Sequence, residues 1–118
     1  MTASIVEFLD DLGRRDAHEP LLARVSATVR FDITDDQRTE HRLLRVDHGD
    51  ISVSTGDEPA DCVIGGDRAT FDAVVSGRSS AMAALLRGAL AVDGDPELLV
   101  LIQRVFPGHA AAGERRSS

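Results

Sequence analysis

The sequence predicts an α+β domain, and three observations carry this prediction. Apolar and polar residues alternate over residues 27–34, as expected for a strand with one buried face. Two further strand-like runs, residues 41–47 and 51–54, follow short polar turns, so the first three strands should form an antiparallel meander. Apolar residues then recur at helical spacing through the second half of the chain, with one strand inserted at residues 89–93.

The N-terminal element is expected to be an amphipathic helix. Apolar residues recur at helical spacing from Ile5 to Leu12, and acidic residues occupy the other side. Ser4 is the expected N-cap, Glu7 stands in the capping-box position, and Gly13 is the expected end of the helix.

A short helix is expected before the meander, and a loop and a fourth strand are expected after it. A short second helix is predicted over residues 18–25, because Pro20 is tolerated in a first helical turn. After the meander, residues 55–61 have the glycine, proline and acidic residues of a loop. Residues 62–64 are continuously apolar, which predicts a short fourth strand in the interior of the sheet.

Capping residues and glycines delimit two helices in the second half of the chain. The first is expected to begin after the N-cap Asp67 and to end at Gly77. The second is expected to begin after Ser79 or Ser80 and to end at Gly88. Both carry apolar residues on one side, so both are expected to cover one face of the sheet.

The last helix is the most apolar element of the chain. Residues 95–97 read Asp-Pro-Glu. They supply an N-cap, a proline at the first helical position, and an acidic residue that interacts favourably with the helix dipole. The body that follows, residues 98–106, is apolar on nearly all sides, so it must be buried on several sides or contact something apolar. Two interpretations stay open: a closely packed core, or a cavity between sheet and helices in which a lipid tail replaces part of the core. Met82 and its neighbouring alanines suit an adaptable cavity wall.

Composition bounds the size and class of the protein. Residues 1–106 of the 118 are expected to form one domain, followed by a flexible C-terminal tail at residues 107–118. The net charge of −7 and the absence of Trp and Tyr disfavour nucleic-acid binding. No apolar run is long enough for stable membrane insertion, and acidic residues near the N-terminus do not fit a signal peptide, so a cytoplasmic protein is expected.

No set of residues predicts catalysis, so the protein is expected not to be an enzyme. The histidines lack metal-ligand spacing and the lone Cys62 lies in an apolar strand, so neither a metal nor a cofactor is expected. Carboxylates cluster in turns and caps, where Asp has a local structural role. An enzyme would need a polar site assembled from distant segments, such as His41 with Asp32 or Arg30, and these lie on the predicted solvent face.

Several sequence runs, taken in order, carry a resemblance to a known family. Residues 60–67 read Ala-Asp-Cys-Val-Ile-Gly-Gly-Asp, and residues 69–71 and 75–77 read Ala-Thr-Phe and Val-Ser-Gly. Residues 85–95 then give a helix end, a glycine, a short strand and Gly-Asp before the last helix. With the hairpin sequence Val-Asp-His-Gly at residues 46–49, the chain resembles the sterol carrier protein type 2 (SCP-2) domain family over roughly residues 25–106.

This resemblance implies a fold and a function. The fold would be one five-stranded mixed sheet, with a three-strand meander, a crossover into the fourth strand, and helices packed on one face. The function would be non-catalytic binding and carriage of a fatty acid, acyl chain or sterol-like ligand in an apolar tunnel between the sheet and the helices. The wall residues that it implies are Phe31, Ile33, Leu44, Val46, Val53, Phe71, Val75, Met82, Leu85, Leu86, Leu98, Ile102 and Phe106.

A second function stays open within the same family. Some members serve as accessory or dimerisation modules, so the alternative is a module with no bound ligand whose apolar surface closes a homodimer. Members commonly have an aromatic residue in the second strand, where this chain has Leu43 and Leu44, so the shape of the ligand is expected to differ. The chain ends Arg-Ser-Ser rather than Ser-Lys-Leu, so a peroxisomal location is not implied.

Overall fold

The structure is a computed structural model that describes residues 4–15 and 17–106. The predicted C-terminal tail at residues 107–118 lies outside the described residues. Within them the chain folds into five strands, four α-helices and one 3₁₀ turn. The elements in chain order are α1 (Ile5–Arg14), the 3₁₀ turn (Pro20–Leu22), β1 (Ser26–Asp35), β2 (Arg38–Asp47), β3 (Asp50–Thr55), β4 (Cys62–Asp67), α2 (Arg68–Val75), α3 (Ala81–Leu86), β5 (Leu90–Gly94) and α4 (Pro96–Gln103).

The five strands form one mixed sheet in the order β3-β2-β1-β4-β5. The first three strands pair antiparallel in sequence order, as the predicted meander requires. β1 also pairs parallel with β4, and β5 pairs antiparallel with β4 at the edge of the sheet. The predicted α+β class, the crossover and the interior position of the fourth strand are therefore confirmed.

Helices cover one face of the sheet, which we call the inner face. Val29, Phe31 and Ile33 alternate along β1 and are all buried on this face. Above it, α1 packs on β3, α2 on β1 and β4, α3 on β5, and α4 on β4. Because α2, α3 and α4 lie over the strands on one side of β2, the buried wall residues of α2 and α4 come together above β1 and β4.

The turn between β2 and β3 has two residues, His48 and Gly49, and both have positive φ angles of 50° and 94°. This is the pattern of the two-residue hairpin turn whose twist matches the twist of the paired strands. The sequence prediction of a hairpin at this point is confirmed. The short turn fixes the register in which Leu44 and Val46 face inward, because Leu44 pairs with Val53 and Val46 with Ile51.

The connection between β3 and β4, residues 56–61, crosses the other face of the sheet, which we call the outer face. Arg30, which alternates with the buried residues of β1, donates hydrogen bonds from Nη1 to the carbonyl oxygens of Asp57 (2.8 Å) and Glu58 (3.1 Å). Leu43 faces the same side and is only 8% exposed, although it lies outside the main core. Six extended residues span about 20 Å, enough to cross the roughly 14 Å between strands three places apart.

Two helices are capped by side chains from other helices. The N–H of Ile5 donates to Oδ1 of Asp72 on α2 (2.8 Å), whereas the side chain of Ser4 makes no capping bond. The N–H of Ala81 donates to Oε1 of Gln103 on α4 (2.7 Å), which joins the start of α3 to the end of α4. The predicted capping box at Ser4 is therefore wrong, because the Ser4 side chain accepts no bond and the side-chain acceptor at this end of α1 is a carboxylate distant in sequence.

Other sequence predictions differ from the structure at element boundaries. The predicted second helix over residues 18–25 is only a 3₁₀ turn, since His18 bridges to Asp50 at the sheet edge instead. α1 continues to Arg14 past Gly13, where a Cβ would lie 3.2 Å from Cβ of Val53, so this glycine lets α1 approach β3 closely. α4 ends at Gln103 rather than at residue 106, and of the two predicted serine caps Ser80 is the one used.

Candidate functional site

The predicted wall residues fall into three groups by exposure. Nine of them are buried in one continuous apolar core, Val53 and Leu85 are partly buried, and Met82 and Leu86 lie on the surface with 41% and 81% of their area exposed. α3 turns Ala81 and Ala84 inward and Met82 and Leu86 outward. The nine buried residues are Phe31, Ile33, Leu44, Val46, Phe71, Val75, Leu98, Ile102 and Phe106.

Two aromatic rings form the centre of the interior under α2. The Phe31 ring on β1 and the Phe71 ring on α2 meet edge to face, with centroids 5.9 Å apart and planes at 69°. Such a pair stabilises a core beyond the area it buries, by about 0.5–1.5 kcal/mol. Gly66 of β4 leaves room for this packing, because a Cβ there would lie 2.6 Å from Cδ2 of Leu90 and 3.5 Å from the Phe71 ring.

The predicted set of wall residues omits three residues of this interior. Ile64 and Leu90 face inward from β4 and β5, and Leu99 from α4, and all three are buried. Ala81 and Ala84 of α3, two of the alanines named with Met82 as a cavity wall, are buried as well. A signal for the strand residues was present, because Cys62 and Ile64 occupy alternate positions of one strand. The interior above β4 and β5 is therefore filled by methyl and methylene groups of short aliphatic side chains.

Four clefts occur elsewhere on the described residues. They have volumes of about 290 to 460 Å³ and lie along the 3₁₀ turn, the ends of the meander strands and the contact of α1 with β3. Val46 and Val53 are the predicted wall residues that line them. None of these four clefts is lined by a residue of α2, α3 or α4.

The attachment of α3 and α4 to the rest of the molecule is almost entirely apolar. α3 has only six residues, and its one hydrogen bond to α4 within the described residues is the bond from Ala81 to Gln103. α4 buries Leu98, Leu99 and Ile102 against the sheet but leaves Val100 38% exposed. Apolar contacts between α-helices and a sheet are non-directional, so these two helices can shift without breaking specific polar bonds.

A polar cluster lies on the outer face, opposite this interior. Nε and Nη2 of Arg30 donate to the two carboxylate oxygens of Asp32 (2.9 and 3.1 Å), and Nδ1 of His41 lies 2.7 Å from Oδ1 of Asp32. Partial burial raises the pKa of Asp32, but hydrogen bonds from Arg30 and His41 outweigh it and hold that pKa below its ordinary value. The structure thus joins the three residues weighed above as an enzyme site into an ion-pair network that anchors residues 57 and 58.

A family model matches most of the described chain. The model of the SCP-2 sterol transfer family aligns with residues 8–107. The chain belongs to the SCP-2 sterol transfer family. The resemblance drawn from residues 25–106 is therefore confirmed, and the family alignment extends it into α1. No curated protein matches this family member at significant sequence similarity.

Solved structures confirm the SCP-2 fold at low sequence identity. A solution structure of palmitated SCP2L2 from Aedes aegypti has a TM-score of 0.68 and 17% identity, over 91% of this chain and 97% of that one. The sterol carrier protein domain 2 of Helicoverpa armigera has a TM-score of 0.71 and 15% identity, over 91% and 88% of the two chains. The sec-alkylsulfatase Pisa1 from Pseudomonas has a TM-score of 0.69 and 18% identity, over 84% of this chain but only 16% of that one.

Neither a membrane-spanning helix nor a cluster of metal-ligating side chains occurs among the described residues. None of the helices in residues 4–15 and 17–106 has the length and apolar character needed to cross a bilayer. The same residues bring no three His, Cys, Asp or Glu side chains together as a metal site.

Cys62 is predicted to be unreactive in the folded SCP-2 domain. Burial, followed by the nearby charges of Asp95 and Asp93, raises the pKa of its thiol from 9.0 to about 11. That rise lowers the thiolate fraction at neutral pH about 100-fold, and the side chain is fully buried on the inner face. We expect a colour-forming disulfide reagent to label Cys62 slowly in buffer at pH 7 and rapidly in urea. Rapid stoichiometric labelling of the folded protein would contradict the position of this strand.

The network around Asp32 predicts a contribution to stability that depends on pH. Because the pKa of Asp32 is lowered in the folded state, its contribution is present above the unfolded pKa of about 3.9 and is lost as pH falls through the folded value. Asp32→Asn is therefore expected to cost about 1–3 kcal/mol at pH 7, and this difference from the parent should shrink below pH 4. Urea unfolding followed by circular dichroism at both pH values measures it. Asp36→Asn, in an exposed turn at φ 56° where Asn is tolerated, is the control and should be nearly neutral.

Proposed function

We propose that this protein is a non-catalytic cytoplasmic carrier that binds the apolar chain of a lipid between its sheet and helices α2–α4. The observation that carries the proposal is the composition of that interior in a member of a sterol transfer family. Among the described residues it is lined by aliphatic and aromatic side chains and the thiol of Cys62, and it is covered by two short helices, α3 and α4, held by apolar contacts. Among proteins of the same fold, SCP2L2 from Aedes aegypti was solved in a palmitated form.

The proposed site differs from the full set of wall residues that the resemblance implies. Phe31, Phe71 and Val75 would contact one side of the ligand, and Leu98 and Ile102 of α4 the other. The lipid would enter by moving α3 and α4 outward, so that methylene groups of the ligand replace contacts that side chains now make with each other. Met82 and Leu86 would then lie at the mouth of the site rather than in its wall, since both are exposed.

The energetics require an interior site rather than a surface groove. Each buried methylene gains about 0.8 kcal/mol, so ten of them gain roughly 8 kcal/mol. Association itself costs about 4–15 kcal/mol in lost freedom. A fatty acid therefore binds usefully only if most of its chain is removed from water, which the open clefts on the described surface would not achieve.

Native mass spectrometry with palmitate as the probe tests whether the protein binds a lipid. We expect a one-to-one complex, and we expect palmitate to displace a fluorescent fatty acid in solution. Failure of both measurements at micromolar protein would overturn the proposal. A one-to-one complex that forms equally well with short-chain fatty acids would also count against burial of a long chain.

The isoleucines of the chain provide a test of where the ligand lies. Five isoleucines occur, of which Ile33, Ile64 and Ile102 line the proposed site, whereas Ile51 lies beneath α1. Selective labelling of the isoleucine δ1 methyl groups would give five resonances. On titration with palmitate, we expect the resonances of Ile64 and Ile102 to shift and that of Ile51 to stay in place. A shift of the Ile51 resonance alone would indicate that the ligand binds over the other half of the sheet, beneath α1.

A matched pair of variants separates ligand binding from simple loss of packing. Ile102→Ala and Ile51→Ala remove the same atoms from buried positions, and each is expected to cost about 2–5 kcal/mol of stability. Only Ile102→Ala enlarges the space under α4, so palmitate should raise its Tm more than that of Ile51→Ala. Equal recovery of Tm in the two variants would place the ligand elsewhere.

The second candidate function is an accessory module that closes a dimer and binds no ligand. The observation in its favour is that nine of the predicted wall residues are buried in one continuous core, together with exposed apolar residues on α3. The likeness to a part of the much longer Pisa1 chain also fits a fold used as one module of a larger protein. Sedimentation velocity over a hundredfold range of concentration tests it. A concentration-dependent dimer without palmitate uptake would favour this function over carriage.

A further inference from the structure

We propose that the outward side of α3 and α4 docks on the surface of an anionic lipid bilayer. This docking face consists of three exposed apolar residues of α3 and α4 and three exposed arginines at or close to the ends of these helices. The exposed fractions of Met82, Leu86 and Val100 are 41%, 81% and 38%. The residues of the docking face are Met82, Leu86, Val100, Arg78, Arg87 and Arg104.

The positions of these residues on α3 and α4 bring them to one side of the molecule. Met82 and Leu86 are four residues apart on α3 and therefore share one side of that helix. Val100 and Arg104, the C-cap of α4, are also four residues apart and therefore share one side of that helix. The bond between Ala81 and Gln103 fixes the end of α4 beside the start of α3, so the two outward sides adjoin.

The charge around α3 is opposite to that of the whole chain, whereas α4 and its N-cap carry Asp95 and Glu97 as well as Arg104. The chain has 20 acidic and 13 basic residues, yet residues 76–92 contain two arginines and no acid. Arg78 donates to Oγ of Ser76 (2.9 Å) and Arg87 to Oγ of Ser79 (3.4 Å), and neither forms an ion pair within the described residues. Glu97 is the acid of α4, and it lies at the opposite end of that helix from Arg104.

This combination of groups fits a bilayer surface better than other charged partners. Apolar side chains can enter the boundary of headgroups and acyl chains, while arginine side chains extend to the phosphate groups. α1 cannot serve in this way, because its exposed side carries Glu7 and Asp11, and its Arg14 and Arg15 are already paired with Asp11. A net charge of −7 repels an anionic surface, so docking would orient the docking face toward the membrane.

Vesicle co-sedimentation with two double variants tests this proposal. Arg78→Gln with Arg87→Gln removes two charges from the docking face, and Arg14→Gln with Arg15→Gln removes two charges from α1, so the net charges of the variants are equal. With vesicles of phosphatidylcholine and phosphatidylserine, we expect the first variant to bind about fivefold more weakly for each arginine lost and the second to bind like the parent. Vesicles of phosphatidylcholine alone should bind all three proteins weakly.

A single tryptophan provides an independent readout, because the chain contains none. Leu86→Trp places the reporter on the docking face, and Leu21→Trp places it at a second exposed leucine, 58% exposed, near the 3₁₀ turn. Anionic vesicles should shift the emission of the Leu86→Trp protein to shorter wavelength and leave that of Leu21→Trp unchanged. A shift of the Leu86→Trp emission without vesicles, together with a dimer in sedimentation velocity, would assign the face to a second copy and overturn the proposal.

The docking proposal and the proposed function can fail separately. Docking is measured on vesicles without added fatty acid, and it does not depend on a ligand inside the protein. Displacement of the fluorescent fatty acid in solution should be the same for the parent and for Arg78→Gln with Arg87→Gln, because neither arginine contacts the interior. Equal vesicle binding by both double variants, or equal binding to neutral and anionic vesicles, would overturn the docking face and leave lipid carriage standing.

Discussion

Phe71→Ala is expected to lower the free energy of unfolding by about 3–5 kcal/mol. The ring is 2% exposed, meets the Phe31 ring edge to face and fills the space above Gly66, so its loss leaves a cavity between α2 and the sheet. A loss of this size is a large part of the roughly 5–15 kcal/mol that stabilises an ordinary domain. Urea unfolding followed by far-ultraviolet circular dichroism measures it, since a chain without Trp and Tyr gives no useful fluorescence signal.

Phe8→Ala is the matched control for this prediction. Phe8 also meets another ring edge to face, that of Phe106 at 5.4 Å, but it is only partly buried on α1. The same atoms are removed, so a clearly smaller loss is expected at Phe8 because part of its ring already contacts water. Equal losses at the two positions would show that the interior under α2 is not the best-packed part of the domain.

Gly94→Ala is expected to cost about 3 kcal/mol or more, which is nearly as large an effect. Gly94 ends β5 with a φ of 113°, a conformation that residues with a Cβ rarely adopt and that costs about 1–3 kcal/mol. A Cβ at this position would also overlap the carbonyl oxygen of Asp61 and lie 3.0 Å from Cα of Cys62. The backbone of β4 would have to move away, and the pairing of β5 with β4 would weaken.

Gly88→Ala separates the two causes of this loss. Gly88 has a similar positive φ of 81°, but a Cβ there would meet nothing within 4 Å. The backbone strain alone is expected to cost about 1–2 kcal/mol. Thermal unfolding of the two variants and the parent gives the loss of stability at each position. The amount by which the loss at Gly94 exceeds the loss at Gly88 is then the cost of the steric overlap at Gly94. If Gly88→Ala is as destabilising as Gly94→Ala, the close approach of β5 to residue 61 is not what selects glycine.

The strands and turns of this fold could be predicted because their causes are local. Alternation along residues 27–34 fixed which side of β1 is buried, and the Gly49 turn fixed the hairpin. The caps at Asp67 and Asp95 were also readable, since each side chain accepts a bond from an N–H only two or three residues away. The crossover into the fourth strand came from the family resemblance, but the pairing of β4 with β1 was not predicted, since no local pattern specifies which strands pair across a crossover.

The parts of the site that could not be predicted depend on contacts between distant residues. Asp72 of α2, 67 residues away, accepts from the first N–H of α1, whereas the side chain of the adjacent Ser4, the cap that the sequence favoured, makes no bond. Helical spacing showed that α3 has an apolar side, but Met82 and Leu86 are apolar residues on the side that faces outward. Periodicity detects where apolar residues lie along a helix, and only the packed fold decides which of them are covered.

The parallel pairing of β1 with β4 has a consequence for the order in which the chain folds. Each hairpin of the meander joins two strands that are consecutive in the sequence. Val29 of β1, in contrast, pairs with Cys62 of β4 only after a loop of 33 residues has closed. Closing such a loop is entropically unfavourable, so it should follow the local pairings. We therefore expect the amide hydrogens of β1 and β2 to exchange most slowly with solvent. Those of β5 and α4 should exchange faster, through a partial unfolding that costs less free energy than unfolding of the whole domain. The half of the domain that carries the proposed lipid site would then be the half that opens first, with the hairpins still intact.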